Sequence, residues 1–76
     1  MSYSEKIADK LNELLEKNYD AEAGYKNAAE KVHSTSLKGY FTSRAQDRYN
    51  FGHELKEEIR SFGKDPKKGT SVAGDI

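Results

Sequence analysis

Between Ile7 and Val32 a mostly apolar set of positions recurs in alternating steps of four and three: Ile7, Leu11, Leu14, Asn18, Ala21, Tyr25, Ala28, Val32. Steps of that kind bring every member to one side of an α-helix and make a heptad stripe. Leu15 and Ala29 widen the stripe on one side, and the positions between are mostly Glu, Lys, Asp and Asn. Ser2 and Glu5 fit a capping box, with the serine oxygen on an unpaired backbone N–H and the glutamate reaching back. Only Gly24 interrupts the good helix formers, at about 1 kcal/mol relative to alanine. It is either a tolerated glycine or a point where a neighbouring backbone or ring comes close. A first helix is expected over residues 4–32.

His33, Ser34, Thr35 and Ser36 form the connection, with Ser34 or Ser36 as the N-cap of a second helix. So short a link forces two long helices to lie antiparallel. The second helix is expected over residues 37–62. Its apolar positions are Leu37, Phe41, Ala45, Gly52, Leu55, Ile59 and Phe62, flanked by Tyr40, Tyr49 and Phe51. Arg44 and Arg48 fall on or beside this stripe. Gly63 suits a C-terminal cap, and Asp65-Pro66 prevents continuation. The chain thus divides into a helical hairpin, 1–63, and a flexible, linker-like tail, 64–76, expected to be extended or mobile after Pro66.

Each helix carries an apolar arc wider than one seam can bury. Leaving rings such as Tyr25, Phe41, Tyr49, Phe51 and Phe62 in water forfeits roughly 1.5–3 kcal/mol apiece. The expected solution is a second hairpin, in the simplest case a second copy, closing a four-helix bundle. Leu11, Leu14, Tyr25, Phe41, Arg48, Phe51, Leu55 and Ile59 are the expected core and interface residues, with Leu14, Phe51 and Leu55 near the centre. Asn18 and Arg48 interrupt apolar stripes. They mark either a polar pocket or a buried contact that fixes helix register, with Asp20, Glu22 or a partner residue to meet Arg48.

Composition narrows the function classes. Thirteen basic residues balance 13 acidic ones among 76, so no net charge drives non-specific binding to nucleic acid or membranes. The chain has no cysteine, which removes disulfides, thiolate metal sites and thiol nucleophiles. Neither a signal peptide nor an apolar run of about 20 residues is visible, so a cytoplasmic location is expected.

The run from Leu11 to Asp20, Gly24-Tyr25-Lys26-Asn27-Ala28-Ala29-Glu30, Phe51-Gly52-His53-Glu54-Leu55 and Gly63-Lys64-Asp65-Pro66 carry a family resemblance. Together they resemble the start of a bacterial family of ferritin-like four-helix-bundle proteins of unknown function, often found among stress-associated genes. Members are roughly twice as long, and this sequence corresponds to their first hairpin. It is either a truncated product or a short relative that dimerises. The resemblance implies a di-iron site with a glutamate seven residues before Tyr25 and a Glu-x-x-His on the second helix. Those positions hold Asn18, Arg48 and Phe51. An arginine cannot ligate a metal, and a phenylalanine has no donor atom, so no metal is expected at the centre.

Other features carry little chemistry. His53 with Glu54 and Glu57 offers at most weak surface metal binding, and His33 suits the C-terminal dipole of the first helix. Tyr19, Tyr25, Tyr40 and Tyr49 suit buried rings with hydroxyls at the rim. Lys64, Lys67 and Lys68 make too small a patch for nucleic-acid recognition. No arrangement of catalytic residues is discernible. The expectation is an all-α, non-enzymatic structural or protein-interaction module, stress-associated by resemblance. It would have no cofactor and would self-associate as a homodimer or pair with a second hairpin. The alternative is a degenerate ferritin-like metal-binding or redox protein.

Overall fold

The computed structural model describes residues 2–69. Two helices, α1 (Tyr3–Lys31) and α2 (Thr35–Ser61), pack antiparallel as a hairpin. Each begins where its sequence supplies a cap. Ser2 Oγ accepts from the Glu5 N–H at 3.2 Å and donates to Glu5 Oε1 at 3.3 Å. Ser34 Oγ accepts from the Leu37 N–H at 3.3 Å, so α2 starts two residues before the expected Leu37. Lys38 Nζ donates to the Ala29 carbonyl at 3.3 Å, tying the start of α2 to the end of α1. At the far end Gly63 takes φ +83°, a conformation open to glycine at no steric cost. The Gly63 N–H donates to the Arg60 carbonyl at 2.9 Å and the Lys64 N–H to the Ile59 carbonyl at 3.3 Å, the bonding pattern of a Schellman motif.

The seam is narrow. Ala8, Asn12, Leu15 and Asn18 are buried on α1, and Ala45, Gly52, Leu55 and Ile59 on α2. Leu15, Leu55 and Ile59 form the apolar cluster, with Leu11 and Tyr19 packed against it. The small residues Ala8, Ala45 and Gly52 let the helices approach closely. On α2 all four buried positions belong to the expected stripe. On α1 the seam is rotated: it runs along the Leu15 flank of the heptad stripe, not along its midline.

The segment after Gly63 has no regular secondary structure over residues 64–68, yet its start lies against α1. Asn12 is buried and acts as a two-sided clamp: its Nδ2 donates to the Asp65 carbonyl at 3.1 Å, and its Oδ1 accepts from the Lys67 N–H at 2.8 Å. Tyr19 Oη donates to the Lys67 carbonyl at 3.1 Å. Lys64 Nζ meets Asp9 at 3.2 Å and Lys67 Nζ meets Glu16 at 3.7 Å. Successive tail residues meet successive turns of α1, so the segment runs back along the hairpin as a strap. The expected tail continues through residues 70–76, which lie outside the described residues.

Candidate interaction surface

At 100° per residue, Leu11 stands about 40° and Leu14 about 100° to one side of Leu15 on α1. On α2, Leu55 stands about 60° and Phe51 about 100° to the same rotational side of Gly52. In an antiparallel pair of right-handed helices these two sides emerge on one face of the hairpin. Leu14 is 44% exposed, Leu37 48% and Phe51 38%, although all three are large and apolar. Tyr25 and Phe41 are half-buried and bridge the helices on this face, their rings stacked with centroids 6.3 Å apart. Phe41 also meets Tyr40 edge-on at 5.4 Å, and the Arg44 guanidinium lies 5.3 Å from the Tyr40 ring centre. The strap residues Asp65 and Lys67 bond to Asn12 and Tyr19, which stand on the opposite side of the seam.

At mid-height the two helices meet through a polar contact. Asn18 is buried, and its Nδ2 donates to the backbone carbonyl of Arg48 at 2.6 Å. Asn18 Oδ1 is buried and meets no hydrogen-bond partner among the described residues. A Cβ on Gly52 would lie 3.2 Å from Asn18 Nδ2 and 3.8 Å from Leu15 Cδ1, so glycine is what admits the amide. The Arg48 side chain is exposed. Sequence reasoning expected a buried guanidinium; the hairpin uses the Arg48 backbone instead. That choice spares the desolvation of a charged group.

A family model described as a domain of unknown function matches residues 6–76, nearly the whole chain. The chain belongs to this family, DUF2383. No curated protein and no solved structure matches it significantly. In the DUF2383 hairpin, the positions that would carry ligands in a ferritin-type site are a buried amide at Asn18, an exposed Arg48 and a partly exposed Phe51. Among the described residues, no three His, Asp or Glu side chains lie close enough to hold a metal ion. His53 meets Tyr49 edge-on at 4.7 Å and lines a shallow surface depression with Glu54, Glu57 and Glu58. His33 is exposed beyond the α1 C-cap at Val32.

Of the expected core and interface residues, Leu55 and Ile59 are buried in the hairpin itself. Leu11, Tyr25 and Phe41 are half-buried, and Leu14, Arg48 and Phe51 are exposed. Two residues that matter escaped sequence reasoning: Asn12, which holds the strap, and Ala8, which lies in the seam. A polar residue between Leu11 and Leu15 was the available signal for Asn12, but its partners are backbone groups of a tail without pattern. On the strap side, Glu22 holds the Lys26 ammonium above the ordinary lysine range, first by a side-chain hydrogen bond and then by its charge. Their contact is 2.9 Å. No helix among the described residues is long and apolar enough to cross a membrane.

Proposed function

We propose that this DUF2383 hairpin is a non-enzymatic, self-associating module that completes a four-helix bundle with a second copy of itself. One observation carries the reading. The heptad stripe of α1 is not used up by α2: the seam takes its Leu15 flank, and Leu14 on the other flank stays open beside Phe51 and Leu37. A helix in a four-helix bundle has two neighbours, and a stripe that bisects the directions to both is the pattern expected of it. A second hairpin over this face would bury Leu14, Leu37, Phe41 and Phe51, each worth on the order of 1 kcal/mol or more. A two-fold axis lets identical patches meet.

The sequence resemblance supports a ferritin-like arrangement and a link to stress. Asn18, Arg48 and Phe51 support a packed rather than metallated centre, because an arginine and a phenylalanine supply no ligand and a single amide oxygen cannot hold a di-iron pair. Sedimentation equilibrium tests the reading. A dimer should form at micromolar concentration, and a fully helical 8.6 kDa monomer persisting across concentrations would defeat it.

A further inference from the structure

On the face opposite the apolar patch, the strap and α2 enclose a cleft of about 400 Å³ lined by Tyr19, Lys56, Arg60, Asp65, Pro66, Lys67 and Lys68. Four of the chain's 13 basic residues converge there, against one lining carboxylate. Lys67 is paired with Glu16 at 3.7 Å, and Lys56 lies 5.4 Å from the Tyr19 ring centre. Among the described residues no ion pair ties Lys56, Arg60 or Lys68. Lys56 and Arg60 stand four apart on α2, where like charges repel and weaken a helix. The strap brings Lys67 and Lys68 toward that pair. Their approach is fixed by Asn12, which clamps the backbone on either side of Pro66. A chain with no net charge thus concentrates positive field at one concave site, where field lines focus on an anion.

The geometry points to an anion site that takes a compact oligophosphate, with Lys56 and Arg60 on one wall and Lys67 and Lys68 on the other. Arg60 offers a planar fork of donors for phosphate oxygens, and the three ammonium groups supply point charges. The volume falls within the range of small-molecule sites. Asn12 acts as a positioning residue: it touches no ligand but holds the tail cations in place, so their ordering is not charged against binding. The site stands apart from the association face, and its success or failure is independent of the dimer.

Titration of the full chain with sodium tripolyphosphate, followed by amide chemical shifts, provides the test. Saturable one-to-one binding is expected, with shifts centred on Tyr19, Lys56, Arg60, Lys67 and Lys68. Lys56→Gln with Arg60→Gln should weaken it roughly tenfold or more through lost charge-assisted bonds. Asn12→Ala removes no charge, yet should weaken it about threefold or more by releasing the strap. Circular dichroism checks that each variant keeps its helices, and Lys68→Gln, in a segment without secondary structure, gives a charge variant that cannot unfold them. A parallel titration with ATP separates phosphate recognition alone (equal affinity) from added recognition of the base (tighter binding), and both outcomes uphold the site. Shifts spread evenly over Lys6, Lys10, Lys17 and Lys31 would overturn it. So would unchanged affinity in the Lys56/Arg60 variant, or binding to phosphatidylserine vesicles without binding to tripolyphosphate.

Discussion

Gly52 and Gly24 both sit inside helices, and their surroundings set opposite expectations for the same substitution. At Gly52 the new Cβ meets the Asn18 amide at 3.2 Å, and that amide is held by a 2.6 Å bond to the Arg48 carbonyl. Displacing it strands a buried donor, at a cost of about 1–3 kcal/mol that outweighs a helix-propensity gain of about 1 kcal/mol. A Cβ at Gly24 or Gly39 would meet nothing within 4 Å among the described residues. Urea unfolding should therefore show Gly52→Ala less stable by about 1 kcal/mol, and Gly24→Ala and Gly39→Ala more stable by about 0.5–1 kcal/mol. For Arg48→Ala the exposed side chain predicts a change within about 0.5 kcal/mol in the dilute hairpin, against the roughly 3 kcal/mol of a buried charge. At this scale the sequence was half legible. Asn18 declared itself as a polar residue on an apolar stripe. The glycine that admits a neighbour was not distinguishable from the one that does not, because that depends on which helix face meets the partner. Arg48 looked buried for the same reason.

The two helices were legible to within two residues at each end, because caps are local chemistry: Ser2, Ser34 and Gly63 each satisfy backbone groups a few residues away. Removing one has a local cost, and Ser34→Ala should lower stability by about 1 kcal/mol in thermal unfolding. The seam on α1 was less legible. A heptad stripe gives the direction of the bundle axis, and one neighbour lies to the side of that direction, so Ala8 and Asn12 were passed over for Ile7 and Leu11. The strap was not legible at all, since its attachment is through backbone groups that any residue carries. Hydrogen exchange reads it directly. The Lys67 amide, bonded to Asn12 Oδ1 at 2.8 Å, should exchange well below the rate of an open amide, and Asn12→Ala should bring it to that rate.

For the whole molecule, the exposure difference between Leu14 and Leu55 separates folding from assembly. Leu55 lies in the cluster with Leu15 and Ile59, so Leu55→Asp buries a charge in the seam and should unfold the hairpin. Leu14 is on the open face, so Leu14→Asp should abolish the proposed dimer in sedimentation while most helicity survives. The hairpin measures 49 × 25 × 12 Å, a slab one helix thick. A body of that shape has little dry volume, so melting it hydrates little surface that was not already wet. Its heat-capacity increment should fall below the usual 12–15 cal/mol/K per residue, and its calorimetric transition should be low and broad in dilute solution. In the proposed dimer two slabs double the thickness, and the endotherm should then narrow and climb in temperature as protein concentration rises.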